Sequence, residues 1–128
     1  MTYTQQEIEF LTSDEFQKAI KPYWTPTIGD FIQSKELGVR LVTHTLNKEQ
    51  ITIIDFEKPF DKVINPQNVA WLPTFADLKE IAGKILNYEH WYDTECCFFD
   101  YCDNPDNLKE TELLTLAEYA LKLLKRKQ

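Results

Sequence analysis

The sequence predicts an α+β protein in which an antiparallel sheet of three to five strands packs against helices, in the order α-β-β-β-α-β-α. Apolar residues recur every three or four positions near both ends of the chain and in its middle, which is typical of amphipathic helices. Between them lie short β-branched and aromatic runs bounded by polar turns, which are typical of strands. A chain of 128 residues can bury a core of its own, so we expect residues 1–128 to form a single domain.

The N-terminal segment predicts two short helices in succession. Two pairs of residues have the spacing of a capping box, in which each side chain accepts a hydrogen bond from the other residue's backbone N–H: Thr4 with Glu7, and Thr12 with Glu15. We therefore expect the first helix to end near Leu11 and the second to cover residues 13–20. Pro22 follows and cannot continue a helix, because it has no backbone N–H.

The next segment predicts an antiparallel meander. Gly29 and Asp30 indicate a turn or bulge at its start. Three runs with strand character follow, separated by polar turns: Phe31-Ile32, Val39–His44 and Ile51–Phe56. Residues 57–70 have a loop-like composition, and we expect a short strand over 69–71.

Residues 71–78 are expected to connect this short strand to a helix. Pro73 favours an extended backbone at the residue before it, and Thr74 with Asp77 has the spacing of a third capping box. The apolar residues that follow recur at helical spacing, so we expect a helix from Thr74 to about Asn87. Trp71 is so large and apolar that we expect it to be buried in the core.

The C-terminal third predicts one strand and one helix. The apolar run that starts at Cys96 is interpreted as a strand reaching about Tyr101. Turn-forming residues over 103–107 separate it from a helix that runs from about Leu108 to Lys125. The predicted buried face of this helix consists of Leu113, Leu116, Ala117, Ala120, Leu121 and Leu124.

Composition and charge restrict the function classes. A net charge of −7 and a pI of about 4.8 disfavour general binding to nucleic acids or anionic membranes, because phosphate groups would be repelled, but they suit a basic protein partner. No apolar run approaches the roughly 20 residues that span a bilayer, and the N-terminus lacks the pattern of a secretory signal. Three cysteines, an odd number, then predict reduced thiols and a cytoplasmic location.

The residue patterns predict no catalytic residue, no cofactor and no metal site. The candidate zinc ligands are His90, Cys96, Cys97 and Cys102. Their spacing is poor for zinc, since adjacent cysteines on a strand point to opposite faces. The three glycines do not form a phosphate-binding loop. Acid–base catalysis needs carboxylates in a cleft, which a sequence does not show. A small enzyme that uses a carboxylate or Cys97 stays an alternative.

The densest group of aromatic and acidic residues lies between positions 88 and 103. Tyrosine and tryptophan are enriched in interface hot spots, and an acidic rim suits a basic partner. The alternative is that most of these rings belong to the core. The sequence predicts a protein-interaction surface formed by Tyr88, Trp91, Tyr92, Asp93, Glu95, Asp100, Tyr101 and Asp103.

Two patterns combine a tryptophan with a proline. The first is Trp24-x-Pro26-x-x-Gly29-Asp30, and the second is Trp71-Leu72-Pro73-Thr74-x-x-Asp77-Leu78. Together they resemble segments of small uncharacterised proteins encoded in bacteriophages and prophages, where the first opens a sheet and the second opens a helix. The resemblance implies a bacterial cytoplasm and a mobile genetic element as the context. It implies no activity and no catalytic residues.

The sequence thus predicts a small non-enzymatic accessory or protein-interaction protein, with a phage or prophage origin implied by the resemblance. One alternative is an acidic inhibitor that mimics nucleic acid and binds a basic host protein. Another is a small enzyme of unassigned class. The sequence identifies neither the partner nor the oligomeric state, and a homodimer is compatible with it.

Overall fold

The structure is a computed structural model that describes residues 3–47, 49–53, 62–87 and 91–127, with the side chains of Asn47, residues 91–95 and Lys127 outside the description. The chain divides into two compact units. The sheet unit covers Leu11–Leu72, and the helical unit combines the residues up to Phe10 with those from Pro73 onward. The fold class is α+β, as predicted. The expectation of a single domain over residues 1–128 stays a prediction.

Two short helices begin the chain, as predicted: α1 over Gln5–Leu11 and α2 over Asp14–Ile20. The first capping box is confirmed. The Glu7 N–H donates to Thr4 Oγ1 at 3.1 Å, and the Thr4 N–H donates to Glu7 Oε1 at 2.7 Å. The second capping prediction is one residue out, because the N-cap of α2 is Ser13 rather than Thr12. Ser13 Oγ accepts from the Phe16 N–H at 3.3 Å.

Five antiparallel strands form one sheet: β1 (Phe31–Ser34), β2 (Gly38–Asn47), β3 (Gln50–Ile53), β4 (Lys62–Ile64) and β5 (Ala70–Leu72). Their order across the sheet is β4-β3-β2-β1-β5. The predicted meander is confirmed, because β1 pairs with β2 and β2 pairs with β3. The short strand expected before the helix is confirmed as β5. The part of the predicted third strand beyond Ile53 lies outside the described residues.

β4 corrects the prediction that residues 57–70 form a loop. It is a strand of three residues, Lys62–Ile64, which pairs with β3. A strand of this length is too short to show a clear alternation in the sequence. One buried core cluster of the sheet unit contains five apolar residues: Ile32, Val42, Ile51, Ile53 and Val69.

The two tryptophan patterns meet inside the sheet unit. The rings of Trp24 and Trp71 stack with their centroids 5.8 Å apart and their planes inclined by 7°. The Trp24 indole N–H donates to Asp30 Oδ2 at 2.9 Å, and the Thr27 N–H donates to the same oxygen at 2.9 Å. Gly29 adopts a positive φ of 93° in the turn between them, which glycine tolerates because it has no Cβ. The tryptophan, glycine and aspartate of the first pattern therefore have structural roles.

One side chain occupies the outer edge of β5 at Trp71. Gln17 of α2 accepts a hydrogen bond from the Trp71 N–H at 3.0 Å and donates one to the Trp71 carbonyl at 2.7 Å. The amide of Gln17 thus makes the hydrogen bonds that the backbone of a further strand would make. Exposed strand edges invite pairing with other chains, so Gln17 blocks this edge at its centre.

Three helices make up most of the helical unit: α3 (Phe75–Leu86), α4 (Trp91–Cys102) and α5 (Glu112–Lys127). The capping box at the start of α3 is confirmed. The Asp77 N–H donates to Thr74 Oγ1 at 3.2 Å, and the Thr74 N–H donates to Asp77 Oδ2 at 2.8 Å. α3 ends at Asn87, as expected, where a left-handed φ of 58° closes the helix. In the described part of the chain, no helix has the length and apolarity needed to cross a membrane.

The prediction of a strand from Cys96 to about Tyr101 is wrong, because these residues belong to α4. A short apolar run does not distinguish a strand from a buried helix by its periodicity. In the structure Phe98 and Tyr101, three residues apart, both pack on Tyr119 of α5, with ring centroids at 5.5 and 4.8 Å. This contact with a distant helix stabilises the helical form of the segment.

The last helix begins at Glu112 rather than near Leu108, which corrects the predicted start. Pro105–Asn107 form a single 3₁₀ turn, and Leu108 has an extended backbone with φ −76° and ψ 135°. Thr111 Oγ1 then accepts from the Leu114 N–H at 3.2 Å, as an N-cap does. The predicted buried face of this helix is confirmed, since all six of its residues are buried.

Candidate functional site

The predicted interaction surface lies only partly within the described chain. Five of its residues fall outside the description, either completely or with their side chains: Tyr88, Trp91, Tyr92, Asp93 and Glu95. Asp100 on α4 and Asp103, directly after its end, are exposed. Tyr101 is half-buried, with its ring on Tyr119, and its hydroxyl accepts from Lys122 Nζ at 2.9 Å. The two aspartates therefore face water, whereas Tyr101 mainly joins α4 to α5.

A cleft of about 580 Å³ lies beside α4 in the helical unit. Its lining comes from α3, from α4, from the segment before α5 and from the first turn of α5. Ligand pockets typically enclose about 300–1,000 Å³ and are lined mainly by apolar and aromatic side chains. We call this cleft the phenylalanine groove and define it by Phe75, Phe98, Phe99, Cys102 and Leu108.

The two phenylalanines of α4 differ in exposure. Phe98 is buried, and its ring makes an edge-to-face contact with Phe75 of α3, with centroids 6.4 Å apart and an interplanar angle of 79°. Successive residues on a helix are rotated by about 100°, so Phe99 turns away from this contact and is 57% exposed. Leu108, also in the lining, is 52% exposed. Two large apolar side chains in one concave site are typical of an interaction surface.

Hydrogen bonds hold the segment that precedes α5. The Lys109 N–H donates to Thr115 Oγ1 at 3.0 Å, and that hydroxyl donates to the Thr111 carbonyl at 3.1 Å. The Thr111 hydroxyl in turn donates at 2.8 Å to Oε2 of Glu7, a buried carboxylate on α1. These bonds fix the residues on both sides of Glu110. The segment that forms this wall of the groove is therefore held in place by hydrogen bonds, although it is not part of a regular helix.

The charged side chains in the lining of the groove are two lysines, Lys79 and Lys109, and two glutamates, Glu110 and Glu112. Lys109 pairs with Glu118 at 3.2 Å, and Lys79 Nζ lies 5.1 Å from the centroid of the Phe75 ring. Glu110, Glu112 and Asp103, whose negative charge acts on Cys102 of the lining, form no ion pair with any residue that the structure describes. We call these three carboxylates the acidic rim.

Cys102 lines the groove but is a poor nucleophile. Burial raises the pKa of its thiol, and the negative charges of Asp103 and Glu112 raise that pKa further. Because the thiolate is the reactive form, little of it is present at neutral pH. The groove is therefore better suited to holding an apolar group than to cysteine catalysis.

The cysteines of α4 also bear on the zinc alternative. Cys96 is exposed, whereas Cys97 and Cys102 are half-buried, and all three are free thiols. Among the described residues, no three His, Cys, Asp or Glu side chains are arranged to hold a metal ion. His90, the fourth candidate ligand, lies outside the described residues.

Sequence reasoning leaves Phe99 and Leu108 out of the predicted surface. Assigning Phe99 to a strand hides its helical relation to Cys102, three residues on, which also lines the groove. Placing Leu108 inside the last helix hides its exposure. A signal was present for Leu108: the Asn104-Pro105 turn and the capping residue Thr111 lie on either side of it and place it in a connecting segment.

Comparisons with known protein families, with curated proteins and with solved structures found no match for this chain. Its function is therefore inferred from the groove and from the charge around it.

Proposed function

We propose that this protein is a non-enzymatic accessory protein that binds a basic segment of a partner protein in the phenylalanine groove. The observation that carries the proposal is the exposure of Phe99 and Leu108 in the lining of a single cleft of about 580 Å³. A chain that folds alone gains nothing by leaving two large apolar side chains together in water.

The apolar part of the binding would come from these two residues. Fully burying a leucine or phenylalanine side chain contributes about 1.5–3 kcal/mol. Because Phe99 and Leu108 are 57% and 52% exposed, about half of this contribution from each is left for a partner to supply. A leucine, methionine or aromatic side chain of the partner would complete it by inserting against Phe98. A small apolar centre of this kind is typical of an interface hot spot.

The acidic rim supports a basic partner. The carboxylates of Asp103, Glu110 and Glu112 have no ion pair with any described residue, so lysine or arginine side chains of a partner would meet unpaired charge. Rim charges contribute mainly to the association rate and to the orientation of the partner. The net charge of −7 extends the attraction beyond the contact itself.

A bacterial cytoplasm and a phage or prophage origin complete the proposal. They are supported by the resemblance of the two tryptophan patterns and by the three free thiols. On this proposal the partner is a host protein, or another protein of the same mobile element, with a basic segment that carries at least one large apolar side chain.

Affinity capture tests the proposal. The tagged full chain and its variants are incubated with a bacterial cytoplasmic extract, and bound proteins are quantified by mass spectrometry. Leu108→Ser and Phe99→Ser are expected to lower recovery of the partner by roughly tenfold, since each removes part of the apolar centre. Leu46→Ser is the matched control, because Leu46 lies on β2 and is similarly exposed at 56%.

The Leu46→Ser control separates an effect at the groove from the general effect of replacing an exposed leucine. Recovery that falls for Leu108→Ser but not for Leu46→Ser supports the groove as the binding site. Equal recovery with both variants contradicts it. Circular dichroism of each variant shows whether a loss of binding comes from a loss of fold.

A further inference from the structure

A second cleft lies entirely within the sheet unit. It encloses about 570 Å³ and is lined by residues of α2, of β1 and of the 3₁₀ turn Pro66–Asn68 that precedes β5. This volume is in the range of small-molecule sites. Unlike the phenylalanine groove, it is lined mainly by side chains with amides or charges. We call it the lysine cleft, after Lys21 and Lys35 in its lining.

Lys21 is a positive charge for which the described part of the chain supplies no ion-pair partner. Its ammonium group donates to the Pro66 carbonyl at 3.1 Å and to the Gln67 carbonyl at 3.2 Å, which leaves one of its three donors. Burial lowers the pKa of Lys21, because the charged form loses contact with water. An anion bound here would supply the missing counter-charge.

Lys35 provides a second cation in the same lining. It lies in the turn after β1, is exposed, and forms no ion pair within the described chain. Two lysines without carboxylate partners are notable in a protein with a net charge of −7. An ammonium group is a strong donor to carboxylates, so this side of the cleft favours a carboxylate.

Hydrogen-bond acceptors also line the cleft. The side-chain oxygen of Gln33 is buried and has no hydrogen-bond partner among the described groups, although buried polar atoms in proteins are nearly always paired. Its terminal torsion is soft, so the amide can turn this oxygen toward a donor. Asp14 is exposed and has no ion pair in the described chain. The amide of Gln17 is excluded, because it already bonds Trp71.

We propose that the lysine cleft binds a small carboxylate that also carries an amino group, that is, an amino acid or a close analogue. The carboxylate pairs with Lys21 and Lys35, and the amino group donates to Asp14 and Gln33. The side chains of Gln67 and Asn68, also in the lining, contact the remainder of the ligand. This site is independent of the phenylalanine groove, and neither proposal requires the other.

Titration of the full chain with the standard L-amino acids, one at a time, tests this inference. Binding is followed by calorimetry and by the shifts of backbone amide signals. At least one amino acid is expected to bind saturably with a Kd of about 1 mM or lower, shifting the amides of Lys21, Gln67 and Asn68. Lys21→Met is expected to weaken that binding by roughly tenfold or more.

Lys18→Met is the matched control, because Lys18 is an exposed lysine of α2 that does not line the cleft. It is expected to leave the affinity unchanged. Lys35→Gln, in an exposed turn, provides a second test in case Lys21→Met does not fold. It too is expected to weaken binding.

Three outcomes overturn the proposal. The first is the lack of saturable binding by any amino acid up to about 10 mM. The second is binding that Lys21→Met and Lys35→Gln leave unchanged. The third is binding of acetate or inorganic phosphate as tight as that of the best amino acid, since that would show a general anion site without recognition of the amino group.

Discussion

Trp71 is 4% exposed and stacks on Trp24 in the sheet unit. Replacing it with alanine removes that stack and leaves a cavity, so we expect Trp71→Ala to lower the free energy of unfolding by about 3–5 kcal/mol. Its indole N–H is buried without a hydrogen-bond partner among the described residues. Trp71→Phe keeps a ring and removes an unpaired donor, so it should cost clearly less. Urea denaturation followed by circular dichroism measures both changes.

The control at the residue scale is Ile28→Ala. Ile28 is 65% exposed, and its truncation is expected to change stability by no more than about 0.5 kcal/mol. If Trp71→Ala unfolds at the same urea concentration as Ile28→Ala, Trp71 is not buried in the core. The interpretation of the second tryptophan pattern as structural would then be wrong as well.

At the scale of the element, the start of α3 depends on a reciprocal cap between Thr74 and Asp77. Thr74→Ala removes the acceptor for the Asp77 N–H and should lower the free energy of unfolding by about 1 kcal/mol. Thr25→Ala, an exposed threonine in a connecting segment, makes the same chemical change without a cap. Thermal and urea unfolding of the two variants should therefore separate them, and equal stabilities would show that the cap contributes nothing measurable.

Caps and helical faces were predictable from the sequence because their chemistry is local. Thr4 and Thr74 each have an acidic residue three positions later, which is enough to place a helix start. Ser13 shows the limit, since Thr12 beside it could cap equally well and only the path of the backbone decides. The prediction for the segment from Cys96 was wrong for a different reason: its helical form depends on the ring of Tyr119 on α5, which no local pattern contains.

The surface predicted from the sequence and the groove lie in the same part of the chain but share no residue that the structure describes. Asp100 and Asp103 of the predicted surface are exposed, but neither lines the groove, and the basic partner stays a prediction. The groove itself joins residues from α3, α4 and the segment before α5. Leu108 belongs to it only because the chain leaves a 3₁₀ turn in an extended conformation there. Such convergence depends on tertiary packing, so the sequence alone could not have identified the cleft.

At the scale of the whole molecule, the net charge of −7 suits both groove binding and nucleic-acid mimicry, and the salt dependence of binding distinguishes the two. At 0.1 M salt, exposed charges more than about 10 Å apart are largely screened from each other, whereas salt does not weaken apolar contact. With the captured partner, we expect the affinity to fall moderately as NaCl rises from about 50 to 500 mM and then to persist. Phe99→Ser should lower the affinity at every salt concentration, leaving the slope unchanged.

Asp103→Asn tests the charged rim in the same titration. It should flatten the salt dependence while preserving most of the affinity at high salt, because it removes a rim charge and leaves the apolar centre intact. Glu36→Gln, which neutralises an exposed carboxylate of the sheet unit, should change the slope less. A charge mimic would behave differently, with a steep loss of affinity in salt and no effect of Phe99→Ser. Complete indifference to salt would instead contradict a basic partner, and the groove would then be an apolar site alone.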